Sequence, residues 1–258
     1  MSFTGKTPAS TFKDIMYVNN NNNGITTTTK TLKSGNGNDS CMAISDRSVA
    51  VTSNTDNSVA FGVKNAAGSS TFNVDTTNNE VKALGTHTNT QYANFICHSA
   101  LTASFAAGYH NAIPFENSYF ITLVNFGNGT DPATTFTTAE GAGTRASELT
   151  TFLWYLPDNI SIDGITSIEG ADTATGGTTR FHLMSYTFTS GATACLTEGV
   201  LVGHSNDQTN AGSEQPYLNT WTVDSASVAS GKVLVATIES DSINSDYSAR
   251  IKVKYHLT

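Results

Sequence analysis

Between Val59 and Gly85 the apolar residues recur at every second position of short runs, and each run ends in a segment containing Asn or Gly. Val59-Ala60-Phe61-Gly62-Val63 breaks at Asn65-Ala66-Ala67-Gly68, and Thr71-Phe72-Asn73-Val74-Asp75 breaks at Thr76-Thr77-Asn78-Asn79. Val81-Lys82-Ala83-Leu84-Gly85 closes the series. A period of two places one set of side chains on one face of a pleated strand, and Asn and Gly accept the left-handed backbone of tight turns. Strands this short, with a single apolar face, bury too little to stand alone. Phe61, Val63, Phe72, Val74, Val81 and Leu84 are therefore expected to face other copies of the chain, stacked around a three-fold axis.

The rest of the chain points to the same class. Charged residues make up only 13%, against about a quarter in an average soluble domain. Thr, Ser, Asn and Gly fill the gap, and Thr fits a half-exposed pleated surface. No long Ala/Leu/Glu/Lys stretch offers a helix. The expected fold is all-β, in 258 residues that can hold one large domain or two modest ones.

Three zones follow from the patterning. Residues 1–40 are polar and turn-rich, with the run Asn19 to Asn23 and the stretch Ser34-Gly35-Asn36-Gly37-Asn38-Asp39. A segment this polar orders only against a neighbour. It reads as an extended attachment arm whose apolar contacts come from Phe12, Ile15 and Tyr17. Residues 41–85 form the short intertwined strands. Residues 86–258 carry longer segments at regular spacing, the pattern of an antiparallel β-sandwich of jelly-roll type. Strands are expected at 94–99, 118–126, 148–156, 164–169, 179–188, 220–223, 232–240 and 248–257. In the last, Ala249, Ile251, Val253, Tyr255 and Leu257 share one face, and Arg250, Lys252, Lys254 and His256 the other.

Charge divides along the same line. Residues 1–85 hold seven Lys/Arg and six Asp/Glu, a balance of +1, whereas residues 86–258 hold six and fifteen, a balance of −9. The near-neutral part is expected to dock, and the acidic part to face solvent and resist association. The total of −8 speaks against nucleic acid, whose binding rests on Lys and Arg at phosphates. No apolar run reaches the roughly 20 residues of a membrane span, and the opening residues carry no secretory pattern. Cys41, Cys97 and Cys195 are odd in number and far apart. They are expected to be reduced core residues, in a protein that folds in a reducing cytoplasm.

Some of these residues also resemble a known group. Thr4-Gly5-Lys6-Thr7-Pro8-Ala9-Ser10-Thr11-Phe12-Lys13-Asp14 is similar to the opening of virion structural proteins from marine tailed phages. Phe61-Gly62-Val63 with Gly68, followed by Phe72-Asn73-Val74-Asp75-Thr76 and Val81, resembles the repeat of their trimeric fibre shafts. Residues 154–160, 180–186 and 252–257 resemble their jelly-roll-like tips. The resemblance implies a homotrimer on the surface of a phage particle. Its partners would be itself, capsid or tail proteins, and a host surface glycan or protein at the tip.

Catalytic and metal motifs are thin by comparison. No GxSxG, HExxH, Walker loop or GxGxxG before a helix is present. His87, His98, His110, His182, His204 and His256 show no ligand spacing. The carboxylates of Glu169 and Asp172, and of Asp241 and Asp246, read as turn residues against the alternative of a glycosidase pair. Residues 128–131 and 206–207 offer oxygen ligands without EF-hand spacing. Trp154, Tyr155 and Trp221 read as core aromatics against the alternative of a sugar platform. The expectation is a structural protein without catalytic residues or cofactor, a short fibre or capsid decoration with an outward knob. The rival readings are a lectin-like carbohydrate-binding module and a polysaccharide-degrading tailspike.

Overall fold

The computed structural model describes residues 16–21, 23–97, 108–116, 124–140, 144–171, 177–210, 215–241 and 247–258. It divides into two compact units, Met1–Thr88 and Asn89–Thr258. Both are built from antiparallel strands, and the fold is all-β.

The first unit holds two small meanders. β1 (Met16–Val18), β2 (Lys30–Ser34), β3 (Asp39–Ile44) and β4 (Val49–Val51) pair in chain order, so this sheet runs across residue 40. β5 (Phe61–Lys64), β6 (Ser70–Asp75), β7 (Glu80–Ala83) and β8 (Thr86–His87) form the second. Local side chains set its turns. Asn65 Oδ1 accepts the backbone N–H groups of Ala67 and Ser69, both at 3.0 Å, and Gly68 takes φ +82. The Asp75 carboxylate accepts the Asn78 backbone N–H at 3.0 Å and its amide at 2.9 Å, and Asn79 takes φ 56. These are the short-range devices that let Asn, Asp and Gly reverse a chain.

The second unit holds β9 (Thr90–Cys97), β10 (Asn111–Ile113), β11 (Trp154–Tyr155), β12 (Ile160–Ala171), β13 (Thr178–Phe188) and β14 (Leu196–His204). β15 (Gln208–Thr209), β16 (Pro216–Thr220), β17 (Thr222–Val223), β18 (Ser227–Val228), β19 (Lys232–Ser240) and β20 (Tyr247–Leu257) follow. One sheet runs β16-β12-β20-β9, and the other β10-β19-β13-β14-β17. If the eight strands β9, β10, β12, β13, β14, β16, β19 and β20 are numbered one to eight, the sheets read 1-8-3-6 and 2-7-4-5. The hydrogen-bonded pairs 1·8, 2·7, 3·6 and 4·5 are those left when one long antiparallel ribbon is rolled up.

Apolar side chains from both sheets meet in one cluster. Phe95, Ile162, Ile165, Ile251 and Val253 come from one sheet, and Phe181, Leu183, Val202, Leu234 and Ile238 from the other. Trp221 stacks on Phe181 at 5.8 Å, and its indole N–H donates to Ser167 Oγ at 3.0 Å. The polar end of that large buried side chain is thereby satisfied. Trp154 stacks on Phe115 at 5.5 Å and meets Tyr255 edge-on at 5.0 Å. A second cluster lies on the opposite face of β13 and β19, where Met184, Tyr186, Val233 and Val235 are covered by Val124, Phe126, Phe136, Leu149 and Phe152. Gly199 allows this cover to lie close, since a Cβ there would stand 2.7 Å from the Thr134 backbone and 2.6 Å from the Tyr186 ring.

Several local expectations change. Residues 148–156 are not one strand: Ala146–Leu149 is a helical turn, α1, followed by a 3₁₀ turn at Thr150–Phe152 and then β11. Leu149 and Phe152, three apart, are buried as a helix face, while Trp154 and Leu156, two apart, are buried as a strand face. The period switches within nine residues, and the apolar density hid it. In β20 the alternation inverts at the end, where His256 is buried and Leu257 is exposed. The register of β12 and β20 shifts between Ile162 and Gly164, which leaves the Asp163 carboxylate to accept from His256 Nδ1 at 2.9 Å. Of the expected strand at 118–126, residues 118–123 lie outside the described residues. Cys97 and Cys195 are buried, but Cys41 is exposed.

Candidate functional site

The candidate site is the apolar face of the β5–β7 sheet. Directly opposed residues of antiparallel strands point to the same side. The register sets Phe61 beside Val74 and Val74 beside Val81, and in the next row Val63 beside Phe72 and Phe72 beside Ala83. Phe61 and Phe72 meet edge-on at 6.2 Å. The other face carries Asn73, Lys82 and Glu80, with Lys82 Nζ at 2.6 Å from the Glu80 carboxylate. The sheet is therefore amphipathic, as a strand period of two dictates.

The apolar face is open. Phe61 is 45% exposed, Val63 49% and Val81 37%, while Phe72 and Val74 are half-buried. Leu84 is 81% exposed at φ +50, in the turn after β7 rather than in the rows. The first sheet repeats the pattern, with Met42 beside Val51 and Ile44 beside Val49, and Met42, Val49 and Val51 exposed. Among the described residues of 16–88, Gly35 and Asp75 alone are buried, and no apolar side chain is. Of the three expected arm contacts, Tyr17 sits half-buried on β1, opposite Lys33. Phe12 and Ile15 lie outside the described residues. Sequence reasoning left Met42, Val49 and Val51 out of the interface set, although their alternation was visible.

The titratable groups of the second unit fall elsewhere. Glu169 is buried, accepts Thr179 Oγ1 at 2.8 Å and the Asn219 amide, and burial pushes it up to about 7. Its neighbour in sequence, Asp172, lies outside the described residues, as does Asp246. The Cys97 thiol is pushed up to about 12 by burial. His182 is 1% exposed, and burial, then the neighbouring His110, pulls it down to about 3. Trp154 and Trp221 fill the core, and Tyr155 is exposed. No protein-family model matches the chain, and no curated protein matches it.

Proposed function

We propose that the protein is a homotrimeric structural component of a tailed-phage virion, docked through its N-terminus and ending in a jelly-roll knob. One observation carries the reading: no apolar side chain is buried among the described residues of 16–88, although the strand register gathers Phe61, Val63, Phe72, Val74 and Val81 on one face. The hydrophobic face of a sheet must be buried against another element to be stable. Two further copies of the chain supply that layer, each presenting the same face. The near-neutral charge of residues 1–85 lets copies approach, and the −9 of the remainder keeps the knobs apart. The resemblance of residues 4–14, and of the Phe61 and Phe72 segments, to phage virion proteins adds the setting.

Sedimentation equilibrium of the full chain tests the assembly, with the mass of three chains as the expected result. A stable monomer overturns the reading. Antibody labelling of intact particles in electron microscopy tests the location. Label over the whole head makes the protein a capsid decoration, label on the tail or at single vertices makes it a fibre, and unlabelled particles overturn the virion assignment.

A further inference from the structure

Two segments far apart in sequence, 130–131 and 205–207, line one cleft of about 460 Å³ on the face of β13 and β14. That volume lies within the roughly 300–1,000 Å³ of small-molecule sites. His182 and His204 are directly opposed across the two strands and so share this face. His182 is 1% exposed, its Nδ1 has no hydrogen-bond partner, and its Nε2 stands 3.8 Å from Asp131 Oδ1. His110 packs edge-on against it at 4.8 Å, with Nε2 bonded to the Gly129 carbonyl at 2.8 Å. His204 is oriented by Asp224, whose carboxylate lies 2.7 Å from Nδ1.

The far wall is fixed as well. Arg180 donates to the Asp207 carboxylate. Ser205 Oγ accepts the Phe181 backbone N–H at 2.9 Å and donates to the Asn206 carbonyl at 3.0 Å, which holds the 205–207 segment in place. Asn206, which is exposed, also lines the cleft.

The chemistry of this wall selects a ligand class. Carboxylates only accept hydrogen bonds, a guanidinium only donates, and an amide or a neutral imidazole does both. A simple anion would meet Asp131 and Asp207 together. A metal cation would meet the guanidinium of Arg180, which already supplies positive charge to Asp207 and feels Asp131 as well. Burial keeps His182 uncharged near neutral pH, so it adds no positive charge. A hydroxyl group, donor and acceptor at once, satisfies every member of such a set.

We infer that this cleft binds a neutral saccharide unit, with Asp131, Arg180, His182, His204 and Asn206 dividing its hydroxyls among them. The inference concerns the second unit alone and stands whether or not the chain trimerises.

Saturation-transfer NMR on the full chain tests it with the methyl glycosides of glucose, galactose, mannose and N-acetylglucosamine, and with glucuronic acid as the anionic counterpart. At least one neutral glycoside is expected to bind. Asp131→Asn and Asn206→Ala, both at exposed positions, are expected to weaken binding, the first about tenfold or more as loss of a hydrogen bond to a charged group implies, the second roughly two- to tenfold. Phe61→Asp is expected to leave it unchanged, which separates the cleft from assembly. Three results would each overturn the inference: no neutral glycoside bound by a folded chain, binding indifferent to both cleft variants, or binding of glucuronic acid alone.

Discussion

Phe61 and Phe181 sit on strands of the same kind, each directly beside an apolar residue of the next strand, Val74 in one case and Ile238 in the other. Phe61 is 45% exposed and Phe181 is fully buried. The local pattern does not make the difference. In the second unit a rolled ribbon brings another sheet of the same chain over Phe181, and Trp221 stacks on it. In the first unit, four short strands in chain order make a meander with two faces and no second layer among the described residues to close over either. A period of two decides which face is apolar. Topology decides whether the chain itself can cover it.

The sharpest way to break this comparison is to put charge on the open face. Replacing Phe61 and Phe72 together by Asp is expected to abolish the three-chain species in sedimentation. Each buried aromatic is worth roughly 1.5–3 kcal/mol, and an unpaired buried carboxylate costs more. Both tryptophans of the chain, Trp154 and Trp221, lie in the second unit. Tryptophan fluorescence therefore follows that unit alone, and its melting should not move. A trimer of unchanged stability would remove this face from the interface.

The reciprocal change is Phe181→Ala. It is expected to destabilise the second unit by about 3–5 kcal/mol, the usual cost of an aromatic-sized cavity, read by tryptophan fluorescence in denaturant. Sedimentation mass should remain that of three chains in buffer. If the mass falls along with the melt, the two units do not behave independently.

What the sequence made legible follows the same division. The alternation in 59–63, 71–75 and 81–85 placed the interface set on strands, and five of its six members share one face, because period-two patterning is local information. Leu84 does not, since the turn after β7 takes it out of the rows. The lengths of β13 and β19 were also readable, as each runs between turn residues. β14 was not. Its residues serve both clusters, with Val202 in one and Leu196 in the other, and its register against β13 shifts twice, so no single period survives. His204 lies at its end, and the pairing of His204 with His182 was hidden with the strand. The convergence of residues 130–131 and 206–207 on one cleft depends on tertiary packing, which spacing along the chain cannot report.

The finest contrast is between two carboxyl groups with similar partners. Asp75 accepts hydrogen bonds from Asn78 in the first unit, and these hold it below the usual carboxylate range. Glu169 accepts comparable bonds from Thr179 and Asn219, yet burial pushes it above its ordinary 4.5, up to about 7. The folded chain thus binds this proton more tightly than the unfolded one. The contribution of Glu169 to stability is full below pH 4.5 and is lost as the pH rises through about 7. That interval corresponds to a loss on the order of 3 kcal/mol. His182, pulled down to about 3 by burial, acts in the opposite sense and loses its contribution as the pH falls below 6.5. Glu169→Gln separates the two, because His182 is present in both chains and cancels in their difference. The stability of the native chain relative to the variant should fall steadily between pH 4.5 and 8 in denaturant titrations followed by tryptophan fluorescence. A difference that stays flat across that range would mean that Glu169 is ionised in the fold despite its burial.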